Sequence, residues 1–118
     1  MGEYCFYAVK EDVRAEDFLN ALADEKCVDV RLHNCVIEGE VDISKAGIPF
    51  DENEKYSINK AIICRNCTFN QKTDFTEATF SQNANFSKTT FIQLANFRNA
   101  TFSGEVYFKR LRKSKELI

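Results

Sequence analysis

The chain has 118 residues, enough for one domain around one continuous core. Apolar runs are only a few residues long, which excludes a membrane-spanning helix, and the opening MGEYCFYAVKED lacks the basic and apolar regions of a secretory signal. The net charge of −2 hides an asymmetry: residues 1–59 carry six Lys/Arg and fourteen Asp/Glu, residues 60–118 ten and four.

Residues 4–9, YCFYAV, read as a strand. EDVRAEDFLNALADEK predicts a helix with Asp12 as N-cap and an apolar face of Phe18, Leu19 and Leu22, with Val13 and Ala15 nearby. Residues 1–27 are thus expected to form an N-terminal strand and a capping α-helix. From residue 28 a different pattern begins. In VRLHNCVIEGEVDISKAGI, apolar pairs fall at Val30/Leu32, Cys35/Ile37, Val41/Ile43 and Ala46/Ile48. The pattern fails over PFDENEKYS, an acidic stretch with the only Pro, read as an irregular loop at 49–57 that replaces one face. It resumes at Ile58 and Cys64.

From Phe69 onward the repeat is regular. Large residues stand at Phe69, Phe75, Phe80, Phe86, Phe91, Phe97, Phe102 and Phe108, at alternating intervals of six and five. Two residues before each is a smaller one: Cys67, Thr73, Ala78, Ala84, Thr89, Ala95, Ala100 or Val106. The period matches neither a helix nor a continuing strand. Within each unit, however, positions i−2 and i alternate with i−1 and i+1, which is strand geometry for about three residues. A chain that turns after every such unit winds about an axis, with stacked coils roughly 4.8 Å apart. The expected fold is an all-β solenoid over residues 28–110, of about four coils. Its inward ladder is Leu32, Ile37, Ile43, Ile48, Ile58, Cys64, Phe69, Phe75, Phe80, Phe86, Phe91, Phe97, Phe102 and Phe108.

The segments ANFS and ATFS in NANFSKTTFIQLANFRNATFS resemble the pentapeptide repeat proteins, whose consensus is A(D/N)LXX with Leu or Phe at the centre. The resemblance is strong over 62–108 and weaker over 30–48, and the alternating spacing looks like the family's eleven-residue variant. It implies a right-handed quadrilateral β-helix. It also brings one functional idea, since some members mimic duplex DNA and bind type II topoisomerases such as DNA gyrase. Such mimicry needs a long, continuously negative rod. Here about four coils give a length near 20 Å, and the regular repeats are net positive.

Cys64-Arg65-Asn66-Cys67 is the sharpest local motif, because Cys-x-x-Cys can hold half a zinc site or run thiol–disulfide exchange. Cys64 and Cys67 remain weak metal candidates, since both fall on inward positions of the repeat, as do Cys35 and Cys27, and small apolar core residues are a common role for free Cys. The only histidine, His33, follows an inward residue and faces out. No nucleophile–base pair or Gly-rich phosphate loop stands out, so the reading is non-enzymatic, with no cofactor. Thr and Asn at i−1 are read as ordinary strand formers.

Residues 111–118 form a basic tail or cap, and Lys109, Arg110, Arg112, Lys113 and Lys115 are possible interaction residues. They lack the interleaved aromatics of single-strand binders, so direct nucleic-acid binding is not expected. The sequence thus reads as a cytoplasmic protein-interaction scaffold with reduced cysteines, without a transmembrane segment, its partner unidentified and its state monomer or dimer. The alternative is a DNA-mimicking modulator of gyrase.

Overall fold

The structure, a computed structural model, describes residues 6–108. The chain runs β1 (Phe6–Val9), β2 (Asp12–Arg14), α1 (Ala15–Ala23), β3 (Asp29–His33), β4 (Val36–Glu38), β5 (Val41–Asp42) and a 3₁₀ turn at Ile43–Lys45. It continues with β6 (Tyr56–Ile58), β7 (Ala61–Arg65), β8 (Thr68–Phe69), β9 (Thr73–Asp74), β10 (Ala78–Phe80) and β11 (Ala84–Asn85). Four short strands complete it: β12 (Thr90–Phe91), β13 (Ala95–Asn96), β14 (Thr101–Phe102) and β15 (Val106–Tyr107).

The strands form four parallel sheets that the chain visits in rotation: β1-β3-β7-β11-β15, β12-β8-β4-β2, β13-β9-β5 and β14-β10-β6. The register returns after 22 residues, pairing Ile62 with Ala84, Phe69 with Phe91, Thr73 with Ala95 and Phe80 with Phe102. Two six-residue and two five-residue units make up that turn. This parallel stack is a β-helix.

Inside it the phenylalanines stack in columns. Phe69/Phe91, Phe75/Phe97, Phe80/Phe102 and Phe86/Phe108 lie 4.8 to 5.4 Å apart between ring centres, with interplanar angles of 18° or less. Leu32, Ile37, Ile43, Ile58, Cys64, Phe69, Phe75, Phe80, Phe86 and Phe91 are buried, while Phe97, Phe102 and Phe108 at the last turn are partly buried. Each buried Phe contributes about 1.5–3 kcal/mol.

The two unit lengths correspond to two kinds of corner. Asp42, Asp74, Asn85 and Asn96, each just before a ladder residue, accept from the backbone N–H two residues on, at 2.8–3.0 Å. Where Asp74, Asn85 or Asn96 does so, a tight corner follows: the carbonyls of Phe75, Phe86 and Phe97 accept from Ala78, Thr89 and Ala100. Glu77, Lys88 and Asn99 there have φ of 64°, 57° and 58°. Thr68, Thr79, Thr90 and Thr101 occupy the same place before the longer corners. From Phe69 onward the i−1 side chain therefore tracks the corner, and strand propensity alone is not its explanation, whereas the tight corners after Leu32 and Cys64 follow Arg31 and Ile63.

Three features at the N-terminal side differ from expectation. Asp12 is not a helix cap: it lies in β2, which pairs with β4, and α1 starts from Arg14 without a side-chain cap bond. The sheet pairing wins because Val13, opposite Ile37, continues the inward ladder from Ala8, opposite Leu32. The helix then buries Ala15, Phe18, Ala21 and Leu22, and Phe18 meets Phe69 edge-on at 5.8 Å.

The loop does not replace a face. Ile58 stands beneath Phe80 on the face that follows Ile43, whereas Ile48, though buried, lies outside the three-stranded sheet. The chain makes an excursion after Ile48 and returns antiparallel, with a Phe50–Tyr56 bridge, Ser57 N–H donating to the Pro49 carbonyl, and Asp51 Oδ1 accepting from the Asn53 and Lys55 amides.

Candidate functional site

Cys64 and Cys67 are the flanks of one tight corner, with Arg65 and Asn66 pointing out and Asn66 at φ 53°. Both sulfurs face inward, at 0% and 1% exposure, and Cys35 is equally buried in the turn below. Cys67 Sγ donates to the Leu32 carbonyl at 3.3 Å. The hydroxyl of Thr89, one turn above Cys67, donates to the Cys64 carbonyl at 2.6 Å and accepts from the Cys67 amide at 3.4 Å.

Burial pushes the Cys64 thiol well above its ordinary value and raises Cys35 as well; a hydrogen bond from Cys64 holds Cys67 lower. A thiolate at Cys67 has no open path to a bulky electrophile, so reactivity is limited by access. Among the described residues no group of three or more His, Cys, Asp or Glu is placed to hold a metal ion. The described part of this motif is a packed, hydrogen-bonded corner. Cys35, Cys64 and Cys67 are free, but Cys27, 2% exposed, is disulfide-bonded, contrary to the expectation of reduced cysteines throughout. Burial beside the end of α1 suits a covalent anchor as well as it suits an apolar side chain.

His33 is half-buried, with its ring 6.3 Å from Tyr7. Glu38 and Glu40 are exposed on either side of the Gly39 corner, and Asp51 is tied to the backbone of its own loop. Lys109, Arg110, Arg112, Lys113 and Lys115 lie outside the described residues.

The broadest surface is the outer side of the five-stranded sheet. Its central column, set by strand register, is Tyr7, Arg31, Ile63, Asn85 and Tyr107. Tyr7 and Tyr107 are 54% and 43% exposed, and Arg31 is fixed by two bonds to Asp29 at 2.9 and 3.1 Å. The sequence reading missed this face because it placed Tyr7 in a separate leading segment. The available signal was the five-residue step from Ala8 to Val13, which puts Tyr7 at the same outward position as Tyr107.

Residues 65–112 match the family model for pentapeptide repeats, in nine copies. That stretch of the chain is built of pentapeptide repeats. The match covers the regular Phe ladder, and the same parallel pairing extends below it to Phe6, where the pentapeptide pattern is blurred by Ile, Val and Cys. A search of curated proteins and of solved structures returns no match. No helix among the described residues is long and apolar enough to cross a membrane.

Proposed function

We propose that the protein is a non-catalytic pentapeptide-repeat scaffold, a right-handed quadrilateral β-helix of about four coils, whose five-stranded outer face binds a protein partner. The observation that carries this reading is the column Tyr7–Arg31–Ile63–Asn85–Tyr107, which joins exposed aromatics and a fixed arginine on a rigid sheet. Tyr and Arg are enriched at interface centres, and a preorganised face loses little entropy on docking. Right-handedness is supported by the general rule for parallel crossovers and by the family resemblance. A cytoplasmic location remains part of the proposal, and the Cys27 disulfide is the observation that weighs against it. The gyrase reading lacks such support: the fold measures 34 × 32 × 25 Å, and Arg65, Lys88 and Arg98 are exposed along the repeats.

The test is site-specific photo-crosslinking in cell extract. A photoreactive residue at Ile63 or Asn85 is expected to give one discrete adduct, and one at Asp42 or Asn96 on the opposing sheet none. Identical adduct patterns from both faces, or discrete adducts from the opposing face alone, would overturn the assignment.

A further inference from the structure

The corner occupied by Cys64–Cys67 has an outer side whose chemistry differs from its inner side. A cavity of about 470 Å³ opens there, lined by Asn34, Arg65, Asn66, Ser87 and Lys88. These residues come from three successive turns, brought together because the tight corners stack: Asn34 N–H donates to the Arg65 carbonyl, and Asn66 N–H to the Ser87 carbonyl. The left-handed φ of Asn34, Asn66 and Lys88, 58°, 53° and 57°, sets the chain direction at each level.

The lining contains two cations and no carboxylate. Arg14, Arg31, Lys45 and Lys55 each have an acidic partner within 4.0 Å, whereas Arg65 and Lys88 have no acidic or hydrogen-bonding partner among the described residues. The two asparagines are already oriented: Asn66 Nδ2 donates to Asn34 Oδ1 at 2.5 Å, leaving the Asn34 amide group as a further donor. Ser87 Oγ is committed to Asn85 Oδ1 at 2.6 Å. The guanidinium, the ammonium and the free Asn34 amide give the cavity an excess of donors, with Asn66 Oδ1 as a remaining side-chain acceptor.

We propose that this cavity binds a phosphoryl oxyanion, with Arg65 as the bidentate ligand, Lys88 as the second charge and Asn34 Nδ2 as an orienting donor. An Arg fork matches phosphate geometry, and like charges left facing one cavity gain most from a shared anion. The volume falls in the range of small-ligand sites, so a phosphate ester fits as well as a free ion. The site lies at the edge of the protein-binding sheet, where Arg65 ends β7, but uses none of the column from Tyr7 to Tyr107.

The test is an amide-shift NMR titration with pyrophosphate at ionic strength held constant with sodium chloride. Saturable shifts confined to Asn34, Arg65, Asn66, Ser87, Lys88 and their neighbours are expected. Arg65→Gln and Lys88→Gln should each weaken binding at least tenfold, and Lys72→Gln, on another corner, should not change it. Both variants alter exposed side chains, and unchanged melting temperatures would show that the fold is retained. Inorganic phosphate and ATP distinguish the source: equal affinity for ATP and pyrophosphate identifies the phosphoryl group alone, and tighter ATP binding identifies an ester whose remainder also contacts the groove. Shifts that do not saturate, that chloride reproduces, or that persist in the double variant would overturn the proposal.

Discussion

The buried ammonium of Lys60, 4% exposed, donates to the main-chain carbonyls of Ala21 at 3.0 Å and Asp24 at 2.6 Å. A side chain from the start of β7's turn thereby satisfies the open C-terminal end of α1 and ties the cap to the stack. Burial lowers its pKa, with Asp24 acting in the opposite sense. Lys60→Met should leave those carbonyls with only the Asp24 and Cys27 amides as donors and cost about 0.5–1.5 kcal/mol. Hydrogen exchange should show the loss concentrated in residues 15–24. Protection lost uniformly across the stack would mean that the lysine does not act through the helix.

Phe86 and Asn85 are adjacent but face opposite ways. Phe86 is fully buried and stacks on Phe108 at 5.4 Å, while Asn85 Oδ1 accepts from the Ser87 amide and hydroxyl. Phe86→Asp should abolish folding, because an unpaired charge would enter the column. Asn85→Asp keeps the acceptor and should be nearly silent, whereas Asn85→Ala should cost about 1 kcal/mol. Urea midpoints of the three variants check the order, and equal effects from Phe86→Asp and Asn85→Asp would contradict the assigned facing.

The ladder was legible because a Phe placed every five or six residues has no better use than stacking with its equivalent one turn away. The corner code was equally present in the sequence, as Asp or Asn before Phe75, Phe86 and Phe97 and Thr before Phe69, Phe80, Phe91 and Phe102. Its meaning became visible only with the Asx hydrogen bonds in place. The first strands were harder to read: Ala8 and Val13 are too small and too few to announce a repeat, and Asp12 before an acidic, helix-forming run satisfies the local cap rule while the sheet supplies the stronger pairing. The excursion after Ile48 preserved the phase of the repeat by arithmetic, so spacing alone placed Ile48 on a face that Ile58 occupies. The cavity at Arg65 and Lys88 depends on residues 22 to 32 positions apart converging at a corner, which no local motif announces.

The three free thiols should be inert in the native state. Cys35, Cys64 and Cys67 are at most 1% exposed, and iodoacetamide mapping by mass spectrometry should find their peptides unlabelled until denaturant is added. Native labelling of Cys64 or Cys67 at the rate of a free thiol would revive a reactive role for the motif.

The same burial predicts an alkaline weakness. Cys64 and Cys35 have raised pKa values in the folded chain, mainly from desolvation, while in the unfolded chain such thiols ionise near about pH 8.5. Their contribution is therefore complete below that pH and is lost as pH rises through the window above it. Lys60 opposes the trend, because the cost of holding its charge is relieved as pH rises through its lowered value. The urea midpoint should fall between pH 8 and 10, and fall less steeply in Cys64→Ala, though that variant is less stable at pH 7. Parallel slopes for the two proteins would remove Cys64 as the cause.

Thr89 supplies the last test, since its hydroxyl is fully buried and spans the Cys64 carbonyl and the Cys67 amide from the turn above. Thr89→Val keeps the shape and removes the bridge. Stranding a buried carbonyl costs about 1–3 kcal/mol, or roughly 4–8 °C in melting temperature for each kcal/mol in a domain of this size. Thr89→Ser retains the hydroxyl and loses only a methyl, so it should recover most of the difference. If valine and serine variants melt together, the hydroxyl is not what closes the corner, and Cys67 Sγ, bonded to Leu32 in the same way one turn lower, would carry no more weight than its volume.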